Sequence, residues 1–147
     1  MEYLTTHDLL WVNQIVTGAV TPYHYFKLEA AMAGQYNYGK SDSVLDQAAN
    51  MLGKILYAAP FESGNRRTAL IATLTFLNAN GYATKISDEA AADIVIKTAD
   101  GTVSSSAAVE ALVAPADSSI GDITLRQLIT HECNHHMAAL GLLAPGD

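Results

Sequence analysis

The residues of this sequence best suited to chemistry lie in the run 59–70. It reads Ala-Pro-Phe-Glu-Ser-Gly-Asn-Arg-Arg-Thr-Ala-Leu, a short loop that leads directly into an apolar segment. Gly64 and Asn65 tolerate positive φ, so a turn at this pair can direct several backbone N–H groups toward one point. Arg66 and Arg67 follow the turn. A helix N-terminus with two guanidiniums beside it predicts an anion site, most suited to phosphates.

The segment after the turn predicts a buried helix. Residues 65–80 carry apolar side chains on nearly every face, and Gly81 stands where helices commonly end in a left-handed residue. A helix of this kind is normally the central element of its fold. The arginines therefore begin the most rigid part of the molecule, which is where a preorganised site is expected.

The remaining patterns predict an all-α fold, a compact helical bundle around the helix at 65–80. Residues 34–42 have no helical period and suggest a surface loop or short hairpin, and residues 113–121 resemble a linker. No strand pair is evident. The other predicted helices cover 6–17 with Thr6 as N-cap, 22–33 with Pro22 in the first turn, 43–58 with Ser43 as N-cap, 88–99, about 106–112, and 123–140.

Composition limits the class of protein. The chain has 147 residues, half of them apolar and 16% charged, which predicts one globular domain over 1–147 rather than a disordered chain. A net charge of −7 argues against nucleic acid as a partner, because such binding needs cations. The single cysteine excludes an intrachain disulfide. With no leader pattern and no run of about 18 apolar residues, we expect no membrane partner and a cytoplasmic location.

The run 59–67 resembles the signature of the Fic/Doc family, His-x-Phe-x-(Asp/Glu)-Gly-Asn-(Gly/Lys)-Arg. Over residues 44–82 the sequence looks like the Doc, or death-on-curing, branch, in which Asn-Lys-Arg-Thr-Ala-Leu precedes an apolar helix ending in Asn-Gly. Residues 3–10 are also similar to the start of Doc-like proteins. Beyond about residue 90, including the helix at 123–140, we find no specific resemblance.

The resemblance implies a transferase. Proteins of the family move part of a nucleotide, most often AMP from ATP, to a protein hydroxyl. The Doc branch instead phosphorylates elongation factor Tu and is neutralised by a Phd-like antitoxin. The resemblance thus implies ATP or another nucleoside triphosphate with Mg²⁺, a protein target such as elongation factor Tu, and a Phd-like antitoxin as a partner.

The resemblance also assigns roles by position. Gly64 and Asn65 would present backbone and side-chain donors to the phosphates, and Arg67 would clamp phosphate oxygens bidentately. Arg66 replaces the lysine common in the Doc branch. Phe61 would pack under the loop and fix its shape.

Two positions depart from the family pattern. Ala59 stands at the catalytic histidine, and a methyl group cannot accept the proton of an attacking hydroxyl, a loss that typically costs about 10²–10⁴-fold in rate. Ser63 stands at the acidic metal ligand, which leaves Glu62 either as a metal ligand or as a simple first-turn acid. The chain is then an enzyme engineered to lack its base, or a natural pseudo-enzyme that binds nucleotide or a partner. His24, among aromatic residues, is interpreted as structural.

A second motif lies near the end of the sequence. His131-Glu132-Cys133-Asn134-His135 matches the H-E-x-x-H pattern of zinc peptidases. At about 100° per residue, however, both histidines point away from the apolar face of the predicted helix. Zinc peptidase activity is therefore only a remote alternative, and the pair favours at most adventitious metal binding.

Overall fold

The structure is a computed structural model that describes residues 1–37, 43–116 and 123–147. Within these ranges it is predominantly helical, which confirms the predicted all-α class. Two 3-10 turns, Gly34–Tyr36 and Ala144–Gly146, accompany the helices. The helices are α1 Thr6–Thr17, α2 Tyr25–Ala33, α3 Val44–Ala58, α4 Asn65–Ala79, α5 Asp88–Ala99, α6 Ser105–Leu112, α7 Leu125–His135 and α8 Met137–Leu143.

Helix α4 is the central element, as its sequence predicted. Every residue from Thr68 to Leu77 is buried, and α1, α3 and α7 pack around the helix. It ends at Ala79, with Gly81 following at a φ of 99°. Because α4 has no solvent-facing side along this stretch, its N-terminal turn is held in place by the whole core.

Local hydrogen bonds correct the predicted N-cap of α1 and the predicted start of α2. Thr5, and not Thr6, caps α1, since the Thr5 hydroxyl accepts from Asp8 N–H and the Asp8 carboxylate accepts from Thr5 N–H. Helix α2 begins at Tyr25 instead of residue 22, because the residues before it are extended and Tyr23 forms a β-bridge with Phe61.

A small antiparallel sheet was missed. Strand β1 (Tyr82–Thr84) pairs with β2 (Val113–Pro115), with Ala83 opposite Ala114. Three-residue strands are too short to show alternation, and β2 lies inside the stretch predicted as a linker. Residues 117–121 of that stretch and residues 38–42 of the predicted loop at 34–42 lie outside the described ranges.

The predicted helix at 123–140 is two helices that meet at His136. The break occurs because His136 turns inward, with only 4% of its side chain exposed, to contact Asp88 of α5. Helix α8 then packs against α5. In the parts of the chain described, no helix combines the length and the apolarity needed to cross a bilayer.

Candidate anion site at the start of helix α4

Ala59 ends helix α3 in an unusual backbone conformation. Its φ of 44° and ψ of 63° are left-handed, a region that non-glycine residues rarely adopt. Its N–H donates to Ile55 O at 3.0 Å, and the residue is exposed. An alanine side chain forms no hydrogen bond that would stabilise this conformation, so the surrounding turn imposes it. Strain of this kind often marks a functional position.

The loop after Ala59 is closed by one side chain. Phe61 N–H donates to Asn65 Oδ1 at 2.9 Å, and Asn65 Nδ2 donates to Phe61 O at 2.7 Å. The Phe61 ring is buried in the core beneath the loop. The Asn65 carboxamide therefore holds the turn in position through its Oδ1 and one of the two hydrogens on its Nδ2.

An extended segment before α2 supports the same loop from outside. His24 N–H donates to Pro60 O at 2.8 Å, and Glu62 N–H donates to Pro22 O at 2.9 Å. His24 Nδ1 accepts from the N–H of Lys27 at 3.3 Å and so caps α2. The histidine thus lies near the motif in space, but with one ring nitrogen used as a helix cap.

Gly64 is the N-cap of α4 and satisfies two separate requirements. Its φ is 86°, and a Cβ there would lie 2.4 Å from Thr17 Cγ2 and 2.9 Å from Asn13 Nδ2. Both the left-handed backbone and the close approach of α1 exclude a side chain. Steric contacts alone therefore require a glycine at this position, whether or not a ligand binds nearby.

Asn13 is a functional candidate that sequence reasoning missed. Its side chain is almost fully buried, and its Nδ2 donates to Ser63 O at 2.9 Å and to Thr68 Oγ1 at 3.2 Å. Its Oδ1 accepts from Thr21 Oγ1 at 2.6 Å. Asn13 thus ties the loop to α1. The available signal was an asparagine beside Val12 on the buried face of α1.

The first turn of α4 directs its donors at a single carboxylate, that of Asp147. Arg66 N–H donates to Asp147 Oδ1 at 2.7 Å, and Arg67 N–H donates to Oδ2 at 3.1 Å. Arg67 Nε also donates to Oδ2, at 2.9 Å. Helix N-terminal N–H groups combined with a guanidinium form a strong anion-binding arrangement.

The two arginine side chains differ in their surroundings. Arg67 is largely buried, and its Nη1 donates to Val16 O at 3.0 Å, so its guanidinium is fixed in direction. Arg66 instead lies against Gly146, where a Cβ would come within 2.6 Å of Arg66 Nη1. Arg66 contributes its backbone N–H to the site, while its side chain lies beside the site.

The two positions that the resemblance gives for a metal ligand, Glu62 and Ser63, carry a single carboxylate. Glu62 is exposed, and the carbonyl of Ser63 accepts from Asn13. The nearest carboxylate with a fixed position is that of Asp147, which is already paired with Arg67. Among the described residues, no group of three or more His, Cys, Asp or Glu side chains could hold a metal ion.

The second motif does not assemble a peptidase centre. His131 and His135 are exposed and stack on each other, with ring centroids 5.6 Å apart. Glu132 is buried on the other side of the helix, where its Oε1 accepts from Asn78 Nδ2 at 2.9 Å. Because the glutamate and the histidines face opposite ways, the glutamate cannot activate a water bound to them.

Two further titratable groups are buried here, Cys133 within the motif and His136 directly after it. Burial raises the pKa of the Cys133 thiol to about 11, so it stays protonated and is a poor nucleophile. The Glu132 carboxylate raises the pKa of His136, with a further contribution from Asp88, against the opposing effect of burial. These groups form a structural cluster away from the start of α4.

The sequence has one family match. A model of the Fic/DOC family matches residues 3–77, which span α1 to α4 and include the loop and the anion-binding turn. No curated protein and no solved structure matches the chain. The match supports a transferase function of the Fic type. The family model covers slightly more than half of the residues, and the chain therefore belongs to the Fic/DOC family.

Proposed function

We propose that the start of α4 binds the phosphates of a nucleoside triphosphate, for transfer of a phosphoryl or AMP group to a protein hydroxyl. The observation that carries this proposal is the convergence of Arg66 N–H, Arg67 N–H and Arg67 Nε on one carboxylate. Carboxylate and phosphate oxygens accept from the same donors, and the helix dipole favours either anion.

In this proposal each residue has a distinct task. The α4 N-terminus and Arg67 neutralise phosphate charge as it develops during transfer. Gly64 allows the close approach of backbone to ligand, and Asn65 and Asn13 hold the loop in its shape. Preorganisation of this kind matters because donors that are already aimed need no reorganisation at the moment of reaction.

No residue of the site is assigned to removing the proton of the target hydroxyl. The target hydroxyl must lose its proton as it attacks, and Ala59 offers no acceptor. His24 caps α2 through its Nδ1 and has no assigned part in the reaction. The chain with Ala59 therefore binds nucleotide and transfers slowly or not at all.

The target and partner follow from the Doc-like sequence after the turn. Arg67-Thr68-Ala69-Leu70 matches the Doc branch, which supports elongation factor Tu as the target and a Phd-like antitoxin as the partner. The chain would then be the toxin of a toxin–antitoxin pair that acts on translation in the cytoplasm. AMP transfer to another protein hydroxyl is the alternative chemistry at the same site.

Restoring the base tests the proposal. We would incubate the Ala59→His protein with a bacterial lysate and ATP labelled at the α- or γ-phosphate, with Mg²⁺ or Mn²⁺, and repeat the assay with GTP. Label on a protein near the mass of elongation factor Tu is expected with Ala59→His alone. The position of the label in ATP identifies the group transferred. Ala59→Gln is the matched control, since it fills similar space without a base.

A pseudo-enzyme is the second candidate. It is favoured by Ser63 at the acidic position and by the lack of a metal-binding cluster in the described residues. If Ala59→His binds ATP in calorimetry but transfers no label with any nucleotide or metal, the pseudo-enzyme hypothesis replaces the transferase proposal. If no nucleotide binds at all, the transferase proposal is wrong, and only a pseudo-enzyme that binds a partner remains.

A further inference from the structure

We propose that the groove between α2 and α3 is a docking surface for an acidic, amphipathic helix of a partner protein. The groove has a volume of about 580 Å³, and its lining reaches Ala58, the last residue of α3. The proposal goes beyond the function proposed above, because it concerns recognition of a protein partner and requires no nucleotide.

The groove combines small side chains with large apolar ones. Ala30 of α2 and Ala58 of α3 line it, together with the rings of Phe26 and Tyr57. Small side chains let the backbone of an added helix come close, while aromatic rings provide large apolar contacts. An open apolar groove between two helices is suited to a third helix that inserts side chains spaced at i, i+3, i+4 and i+7.

The aromatic rings of the groove are unusually exposed. Tyr57 is 94% exposed and Phe26 is 76% exposed, the two highest values for aromatic residues in the described ranges. The ring of Tyr25, which is also exposed, meets the Phe26 ring edge-on with centroids 5.8 Å apart. Contiguous exposed apolar surface marks interaction sites, and aromatic residues are enriched at the centres of protein interfaces. This surface is therefore suited to a protein partner.

The charge of the groove indicates the chemistry of the partner. Lys27 and Lys54 line the groove, whereas none of its described lining residues is acidic. Neither lysine forms an ion pair within the described ranges. The chain as a whole carries a net charge of −7, so the groove is a local positive region on an acidic protein. Opposite charges at the rim of an interface steer association and fix its register, so the matching helix carries Asp or Glu beside its apolar face.

A second copy of this chain matches the groove less well. In a two-fold dimer the same surface meets itself, which would bring Lys27 and Lys54 close to the same lysines of the other copy. Like charges that face each other across an interface suppress association. An acidic partner has no such conflict.

Fluorescence polarisation with two designed peptides tests the proposal on the unaltered chain. Both peptides are labelled helices of about 18 residues, with leucine at i, i+3, i+4 and i+7. One carries glutamate at the positions beside the leucines, and the other carries lysine there. We expect saturable binding of the glutamate peptide and at least about tenfold weaker binding of the lysine peptide.

An aromatic variant locates the binding on the protein. Tyr57→Ala should weaken binding of the glutamate peptide by about fivefold or more, because an aromatic anchor is lost. Leu142→Ala is the matched control, since it removes an exposed apolar side chain from α8. It should leave the affinity unchanged.

A charge reversal tests the role of the two lysines. The double variant Lys27→Glu, Lys54→Glu should bind the lysine peptide in preference to the glutamate peptide. The double variant Lys85→Glu, Lys97→Glu is the matched control, because it makes the same change of charge at exposed positions outside the groove. This control should keep the preference for the glutamate peptide.

Several results would overturn the proposal. Equal binding of the two peptides, or no binding of either, would do so without any variant. Unchanged affinity in Tyr57→Ala, or an unchanged preference after the charge reversal at Lys27 and Lys54, would show that the peptides bind elsewhere. A dimer in sedimentation velocity that dissociates in Tyr57→Ala would make a second copy the occupant. None of these measurements involves nucleotide, so the phosphate site is tested separately.

Discussion

Asn65 and Phe61 exchange two hydrogen bonds across the loop, one in each direction between the Asn65 carboxamide and the Phe61 main chain. This pairing closes the loop into a ring of fixed shape directly before α4. It also anchors the loop to the core, because Phe61 is buried. The geometry of the anion site thus depends on the Asn65 carboxamide, which holds the loop in its shape.

Asn65→Ala should therefore destabilise the fold as well as the site. It leaves the Phe61 N–H and carbonyl without their partners, which should lower the free energy of unfolding by about 1–3 kcal/mol. Urea denaturation provides the measurement, with Asn134→Ala at an exposed position of α7 as the control. An Asn65 variant as stable as the control would show that the pairing does not hold the loop.

Gly64→Ala separates backbone strain from steric conflict. Its Cβ meets both the unfavourable φ and the atoms of Thr17 and Asn13, so we expect a loss of about 2–4 kcal/mol in the free energy of unfolding. Gly81→Ala is the control, because its φ is also positive but its Cβ meets nothing within 4 Å. That variant should lose about 1–2 kcal/mol. Equal losses would refute a close approach of α1 to Gly64.

The cluster around His136 predicts a pH dependence of stability. His136 Nδ1 lies 2.9 Å from Asp88 Oδ1, and its Nε2 lies 3.1 Å from Glu132 Oε2 without hydrogen-bond alignment. The Glu132 carboxylate, with Asp88, raises the pKa of His136. A raised pKa stabilises the folded state below the unfolded pKa, and this stabilisation is lost as pH rises through the folded pKa.

We therefore expect the unaltered chain to lose stability relative to His136→Gln as the pH rises from about 6.5, the ordinary pKa of histidine, into the alkaline range. Urea midpoints measured across this range for both proteins provide the test. His131→Gln, at an exposed position of α7, should follow the unaltered chain. Parallel curves for the unaltered chain and His136→Gln would mean that the buried histidine does not titrate differently on folding.

The H-E-x-x-H motif should not yield a zinc enzyme. Elemental analysis of protein prepared without an affinity tag should find less than one zinc per chain, because His131 and His135 are exposed and the described residues place no third ligand beside them. One tightly held zinc that is lost in His131→Ala would contradict the geometry described here. Weak zinc binding that chelators remove readily would agree with it.

Helices with strong local signals were predicted well from the sequence. Helices α1 and α5 have the expected bounds of 6–17 and 88–99, since apolar periodicity and terminal signals agree at these places. The central position of α4 also followed from its apolar faces. The loop and turn at 59–67 were located because Gly, Asn and Arg have distinctive local preferences.

The features that were missed depend on contacts distant in sequence. The break at His136 arises from Asp88, 48 residues away, and the tie from Asn13 reaches Ser63, 50 residues away. Asp147 meets Arg67 across 80 residues. No local pattern distinguishes these polar residues from solvated ones, so only the folded chain reveals their partners.

The central claim is that the start of α4 binds nucleotide phosphates. Its most direct test is a two-dimensional ¹⁵N–¹H NMR titration of the unaltered chain with ATP to millimolar concentration, with the Arg67→Met protein as the control. We expect saturable shifts that are largest at the Arg66 and Arg67 amides and much reduced in the control. Unchanged Arg66 and Arg67 amides at the highest ATP concentration would contradict it.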